Sequence, residues 1–298
     1  MITPAEYADQ YRNMKVGLDG GVVNVTIERY HIGDPDAEKD QLIQAIKEHY
    51  RDQFKKVPGF GIDLIVNGMK VTMRDLEALK MHVAAPFSGK GSPEECQLAA
   101  QLAVMMKRTS KEQLPRYCEK HLGLDCNGFV GNYIFHIRDE SPWQLIARNN
   151  VDIGPSSSMN QFLPIGMAVS DTKTVNPAYM HLFIEVDAHY RIIPGGKAGA
   201  GHIAISEPNK YNPHSFVSNS FGGLDLGYAR KGAYGHPALW AVESTGPQGA
   251  VGLKESWYAL KGPITGTKAR PVPPGIFEVF RGSKASNLNF MVLAVSPC

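Results

Sequence analysis

The spacing of hydrophobic residues divides the chain into a first part of helical periodicity and a second part of alternation. Apolar residues recur every three or four positions over 38–56 and 73–83, which predicts amphipathic helices. Ser92-Pro93-Glu94-Glu95 has the residues of a capping box, with proline at the first helical position. It predicts a buried helix over 96–107. Residues 62–72 alternate, which is typical of a β-hairpin.

From about residue 140 onward, Gly and Pro become frequent and apolar residues alternate with polar ones. The segments in which this alternation predicts strands are 162–170, 179–190, 202–206, 238–244, 251–258, 275–281 and 288–295. A glycine-rich loop at 195–201 and a longer loop at 207–236 separate some of them. Because helices come first and strands follow, the pattern predicts the α+β class with an antiparallel sheet.

Composition and charge narrow the class of protein. The 298 residues are 43% hydrophobic, which is enough for a folded core, and their net charge is +2. A net charge this small gives no broad electrostatic reason to bind nucleic acid or an anionic membrane surface. We find no run of about 18 apolar residues, so we expect no membrane span. The first residues lack the basic start and apolar stretch of a secretory signal, so we expect a cytoplasmic protein, one exported by a non-classical route, or a sequence recorded without its signal.

The sharpest local feature is the segment Asp125-Cys126-Asn127-Gly128-Phe129-Val130. A helix is predicted over 111–122, and the apolar spacing after Cys126 predicts a new one whose first turn contains this cysteine. Backbone N–H groups and the helix dipole favour a thiolate there, and the same N–H groups can receive an oxyanion. Cys126 is therefore the candidate nucleophile. We expect Cys96 and Cys118 to be packing residues.

A cysteine nucleophile needs a base, and the base needs an orienting group. His202 is the candidate base because it stands at the head of a short apolar strand, directly after the glycine-rich loop. Glu243 is the candidate orienting group, since a lone carboxylate ending an apolar strand is costly unless it is paired. Ser244 and His236 are alternatives for this third role.

The segment around Cys126, followed by Pro164-Ile165-Gly166-Met167-Ala168-Val169 and Gly201-His202-Ile203-Ala204-Ile205, resembles the motifs of the NlpC/P60 superfamily. The resemblance covers about residues 111–298. It implies a papain-like α+β core, with a nucleophile helix packed on an antiparallel sheet. It also implies a cysteine endopeptidase or amidase that acts on bacterial cell-wall peptides. In this mapping Cys126 is the nucleophile, His202 the base and Glu243 the third polar residue.

The resemblance divides the chain into a mostly helical N-terminal region of unknown role (1–110) and a catalytic domain (111–298). It leads us to expect a peptide or peptidoglycan fragment as substrate, with no cofactor and no metal. Asp125, Asn127 and Gly201 are candidate substrate-binding residues. Asp125 has an equally strong alternative role as the cap of the helix that begins near Cys126.

Three other interpretations remain open. Strict alternation along 181–189 places His181, Glu185, Asp187 and His189 on one face of a strand, a set that could bind a metal. We favour an ordinary half-exposed strand there. The chain could also be a binding or structural module that keeps the scaffold without catalysis. Finally, Val242-Glu243 resembles the lipid- and amide-acting branch of the same superfamily, which would make the protein a thiol acyl or lipid hydrolase.

Overall fold

The computed structural model of the protein forms two compact units. The residues that the structure describes are 2–32, 37–137, 154–193, 201–212, 220–221, 224–225, 236–246, 249–267, 271–281 and 288–295. The helical unit comprises Glu6–Ser156 and Ser244–Leu253. The barrel unit comprises Met1–Ala5, Ser157–Glu243 and Lys254–Cys298. The expected boundary at residue 110 falls inside the helical unit, and the division into an N-terminal region and a catalytic domain stays a prediction.

The helical unit contains six α-helices and two hairpins among the described residues. The helices are α1 (Pro4–Arg12), α2 (Ala37–Phe54), α3 (Leu76–Ala84), α4 (Pro93–Met105), α5 (Leu114–His121) and α6 (Cys126–Ile137). The hairpins are β1 (Met14–Leu18) with β2 (Gly21–Val25), and β3 (Ile62–Val66) with β4 (Met69–Met73). The helices predicted from periodicity and the hairpin over 62–72 are confirmed. The β1–β2 hairpin was not predicted.

Helix α4 is the centre of the helical unit, and its first eleven residues are buried. The predicted capping box is present, because Ser92 Oγ accepts a hydrogen bond from Glu95 N and Glu95 Oε2 accepts one from Ser92 N at 2.8 Å. Gln97 and Gln101, one turn apart on the same helix, accept hydrogen bonds from the backbone of the β3–β4 hairpin. Gln101 Oε1 accepts from Ile65 N at 2.8 Å, which satisfies polar groups at a strand edge.

The barrel unit is built from six long strands that close on themselves. They are β6 (Met180–Glu185), β7 (Ile203–Asn212), β10 (Ala238–Ser244), β11 (Leu253–Pro263), β12 (Ile276–Arg281) and β13 (Leu288–Val295). Their order is β12-β11-β10-β7-β6-β13, all neighbours are antiparallel, and a β12–β13 pairing closes the ring. A short strand β5 (Met167–Ala168) adds to β13 outside the ring, and β8 (Ser220–Phe221) pairs with β9 (Leu224–Asp225).

The interior of the barrel is filled by one inward-facing set of alternate residues. Its aromatic members contact each other: the ring of Phe183 lies 4.3 Å from that of Tyr258, and Tyr258 lies 5.5 Å from Phe290. Buried aliphatic residues from neighbouring strands complete this core, among them Leu239 and Val279. Because side chains alternate along a strand, every second residue beyond this core also faces inward.

The expected papain-like core, a nucleophile helix packed on an antiparallel sheet, is wrong. The finding that overturns it is the β12–β13 pairing, which closes six antiparallel strands into a barrel. The broader α+β assignment is confirmed. Alternation reveals which residues share a face of a strand but not whether the two outer strands meet. The closure was therefore not visible in the pattern.

Two of the predicted strands differ from the structure for local reasons. The first four residues of the segment 162–170 belong to a 3-10 helix (Met159–Ile165) that contains Pro164, and the strand β5 covers only Met167–Ala168. The segment 179–190 stops at Glu185 because Asp187 turns the chain: its Oδ1 accepts hydrogen bonds from His189 N at 2.7 Å and Arg191 N at 3.0 Å. The other five strands are confirmed within a few residues, apart from longer extensions of β7 and β11.

Strand β6 is not the half-exposed strand that was expected, because Met180–Ile184 are all buried. Inside a closed barrel one face packs on the interior, and here the other face is covered as well.

Among the helices that the structure describes, none is both long enough and apolar enough to cross a membrane.

Candidate functional site

Cys126 begins helix α6, as the sequence predicted, and its side chain is only 5% exposed. Asp125 caps the helix: its Oδ1 accepts a hydrogen bond from Gly128 N, and its carbonyl accepts one from Phe129 N at 3.0 Å. Its other carboxylate oxygen lies 2.6 Å from Lys90 Nζ. Burial raises the pKa of Asp125, and Lys90 opposes that rise. The capping role of Asp125 is thus present in the fold.

Gly128 allows the start of α6 to approach the loop that follows α3. A Cβ atom at this position would overlap the carbonyl oxygen of Gly89. Gly89 itself has a φ of 77°, and its carbonyl accepts a hydrogen bond from Asp125 N at 3.0 Å. Close backbone packing and a hydrogen bond therefore fix this loop against the first turn of α6, next to Cys126.

The two other described cysteines are inert packing residues, as expected. Cys96 and Cys118 are fully buried thiols. Burial raises the pKa of Cys96 and raises that of Cys118 to about 12, so both stay protonated near neutral pH. Cys298 lies outside the described residues.

A cluster of polar side chains faces the interior of the barrel at one end. Glu185, Glu243, Ser256 and Arg281 are the inward residues that come next after the apolar core on β6, β10, β11 and β12. His202, directly before β7, and Tyr258, a member of the core itself, complete the cluster. His202 immediately precedes β7 and pairs with Glu185 through the bond from Glu185 N to His202 O at 2.8 Å. Because inward-facing residues alternate along each strand, the interior of the barrel is aromatic and apolar in its middle and polar at this end.

Glu243 is the centre of this cluster. Its Oε2 lies 2.6 Å from His202 Nε2, accepts a hydrogen bond from Tyr258 Oη at 2.8 Å and is paired with Arg281 Nη2. Its Oε1 accepts a hydrogen bond from Ser256 Oγ at 2.7 Å. Both carboxylate oxygens are therefore satisfied, as a charge that is only 1% exposed requires.

The charges of the cluster fix its protonation. Burial alone would raise the pKa of Glu243, but the hydrogen bond and charge of His202, with the charge of Arg281, hold that pKa well below its usual range. Burial disfavours the Arg281 guanidinium, yet Tyr258 and Glu243 raise its pKa. Glu243 is thus a carboxylate, and His202 presents an N–H at Nε2 toward it. The proton-accepting nitrogen of a neutral His202 is then Nδ1.

The structure brings His202 and Glu243 together inside the barrel unit. Asp125, Cys126 and Asn127 belong to the helical unit, whereas His202, Glu243 and Gly201 belong to the barrel unit. A Cβ atom at Gly201 would overlap the carbonyl oxygen of Ile193, which explains the glycine as a close backbone approach.

Neither alternative for the third residue contacts the imidazole in the way that Glu243 does. Ser244 points away from the barrel interior and donates its hydroxyl to the carbonyl of Leu124 at 2.8 Å. The ring of His236 stacks on Phe280 at 5.9 Å. Glu243 is therefore the partner of His202.

Sequence reasoning missed Ser256, Tyr258 and Arg281. A signal was present: Arg281 ends the apolar strand Ile276–Arg281 just as Glu243 nearly ends β10, and each lone charge needs a buried partner. Which strands are neighbours decides that pairing, and that information is not local.

The metal interpretation of 181–189 finds no support. Within the described ranges, no group of three or more His, Cys, Asp or Glu side chains is arranged to hold a metal ion. No protein-family model, no curated protein and no solved structure matches this chain.

Proposed function

We infer that the protein is a cysteine hydrolase that cleaves amide or peptide bonds. The observation that supports this function best is the buried pair of His202 and Glu243, with Nε2 and Oε2 2.6 Å apart. A carboxylate that accepts the Nε2 proton holds the imidazole in one tautomer and stabilises the imidazolium that forms during proton transfer. The first turn of α6, which presents Cys126, provides the helix N-terminus that favours a thiolate.

Each residue has one role in the proposed reaction. His202 takes the thiol proton at Nδ1, and the Cys126 thiolate attacks the amide carbonyl. The oxyanion is received by backbone N–H groups at the start of α6, including that of Cys126. His202 then protonates the leaving amine, and afterwards takes a proton from the water that hydrolyses the thioester. Glu243 remains ionised throughout.

The substrate class rests on the resemblance of the Cys126 and His202 segments to NlpC/P60 enzymes. It points to peptide fragments of the bacterial cell wall. A panel of cell-wall stem peptides, unrelated peptides and acyl esters, followed by mass spectrometry, tests this choice. If the protein hydrolyses the esters and none of the peptides, the proposed activity changes from an amidase to an acyl hydrolase.

The decisive experiment compares Cys126→Ala with Cys118→Ala as a matched control. Both changes remove one buried thiol from the same unit, but only the first should abolish hydrolysis while leaving the circular dichroism spectrum unchanged. Hydrolysis that survives in Cys126→Ala would exclude this nucleophile. A wild-type protein that turns over no member of the panel would favour the non-catalytic binding module.

The proposal also requires His202 to activate Cys126. The rate at which iodoacetamide alkylates Cys126 near neutral pH, followed by peptide mapping, measures this coupling. His202→Gln should slow the reaction about tenfold or more, because the thiolate loses its base. His189→Gln changes an exposed histidine of the same unit and should leave the rate unchanged. Equal rates in all three proteins would contradict the pairing.

A further inference from the structure

The barrel places the Arg281 cation beside the His202–Glu243 pair and carries the inward-facing Glu185 on the strand next to His202, and the proposed reaction uses neither residue. Arg281 is 4% exposed and shares Glu243 Oε2 with His202 and Tyr258. Glu185 is the direct cross-strand neighbour of His202, with the Glu185 N to His202 O bond at 2.8 Å joining the two strands. The negative charge of Glu185 is one of the causes that raise the pKa of Arg281, after those of Tyr258 and Glu243.

We propose that Arg281 and Glu185 are positioning residues that set the proton affinity of the His202–Glu243 pair with opposite signs. This inference rests on the proposed function for its catalytic meaning, but it concerns an equilibrium that exists without substrate. Arg281 holds Glu243 in place and keeps the pair from binding an extra proton. Glu185 favours that proton.

The sign follows from the charges that face His202. The titratable and charged groups of the cluster are Glu185 on β6, Glu243 on β10, Tyr258 on β11 and Arg281 on β12. When His202 is neutral, the negative charge of Glu243 and the positive charge of Arg281 compensate each other. A proton that binds the pair is therefore disfavoured by the buried Arg281 guanidinium and favoured by the Glu185 carboxylate, and a low dielectric strengthens both effects.

Holding the pair unprotonated serves a base that must accept the thiol proton. A carboxylate facing an imidazole without a compensating cation would favour the imidazolium, and a histidine that is already protonated cannot act as the base. Arg281 reduces that bias without abolishing it, while Tyr258 and Ser256 complete the hydrogen bonds of Glu243. Glu243 can thus hold the imidazole of His202 in place through its hydrogen bond, while Arg281 limits the effect of its charge on the protonation of His202.

The test is an NMR titration of the His202 ring, assigned by comparison with His202→Gln. Arg281→Gln should raise the pH midpoint of His202 by about one unit, a tenfold change in proton affinity, and Glu185→Gln should lower it. Arg281→Lys keeps the charge and should keep the midpoint near that of the wild type. Arg191→Gln is the control, since Arg191 belongs to an exposed ion pair with Asp187 in the same unit.

A folded Arg281→Gln protein whose midpoint is unchanged or lower would overturn the proposal. If that variant does not fold, Glu185→Gln decides: a lower midpoint supports the proposal, and an unchanged or higher one overturns it. The titration needs neither substrate nor Cys126. Its failure would leave the hydrolase proposal intact, and an absence of hydrolysis in the wild type would leave the titration result intact.

Discussion

The Nε2 atom of His202 lies 2.6 Å from the Oε2 atom of Glu243, on adjacent strands inside a closed barrel. Neither group could be buried alone at low cost, because each would carry an unsatisfied polar atom or an uncompensated charge into the interior. Together with Tyr258 and Arg281 they form a network in which the carboxylate accepts every donor that faces it. This network links the stability of the barrel to the chemistry proposed for it.

Removing the charge of Glu243 should destabilise the barrel strongly. Glu243→Gln leaves the Arg281 guanidinium buried without its counter-charge, a change that costs about 3–5 kcal/mol in comparable cases. The free energy of unfolding in urea measures it. Glu278→Gln is the matched control, because Glu278 pairs with Lys261 at 2.8 Å where both side chains are partly exposed to solvent, and surface pairs contribute about 0–1 kcal/mol. Similar losses in both variants would contradict a central role for Glu243.

The local features of the fold were predictable because their causes are local. The capping box at Ser92 and Glu95 needs only residues three positions apart, and the helix start at Cys126 follows from the apolar spacing after it. The pairing of His202 with Glu243 was also predicted, since a lone charge ending an apolar strand requires a partner. These inferences rest on rules that operate within one element or on one buried charge.

The features that sequence reasoning missed depend on which strands become neighbours. Alternation identified the strand that carries Arg281, but not that β12 would pair with β13 and close the ring around Glu243. The 3-10 helix at Met159–Ile165 has a local cause instead. Its apolar residues are spaced like those of a strand, but Pro164 cannot donate a hydrogen bond to a neighbouring strand and disfavours extended pairing there. Barrel closure is a long-range property, and no single segment encodes it.

His181 should make the protein less stable as the pH falls below neutrality. Burial lowers its pKa to about 4, and its Nε2 is buried without a hydrogen-bond partner among the described residues. The unfolded chain binds a proton near pH 6.5 and the folded protein does not, so stability present above that pH is lost as the pH falls toward 4. The expected loss between pH 6.5 and 5 is about 1.5 kcal/mol.

His181→Gln tests this expectation because glutamine keeps polar atoms but does not titrate. Unfolding free energies from urea denaturation at several pH values should show a shallower decline in the variant than in the wild type. Parallel pH dependences would mean that His181 does not contribute to the decline.

Gly128 should be essential to the conformation around Cys126. A Cβ atom in Gly128→Ala would overlap the Gly89 carbonyl oxygen, so the loop or the first turn of α6 must move. We expect lower thermal stability and slower alkylation of Cys126. Gly154→Ala, where an added Cβ meets nothing within 4 Å, is the control in the same unit and should change neither property. An unperturbed Gly128→Ala protein would show that the close approach is not required.

Asp125 either caps α6 only or also contacts the substrate, and two substitutions separate these roles. Asp125→Asn keeps a capping side chain but loses the charge that faces Lys90 at 2.6 Å, whereas Asp125→Ala loses both. If capping is the whole role, the alanine variant should lose about 1–2 kcal/mol of stability and the asparagine variant less. The KM of Asp125→Asn should then equal that of the wild type, because a cap does not touch the substrate. A raised KM in a fully stable Asp125→Asn protein would show instead that the carboxylate binds the substrate.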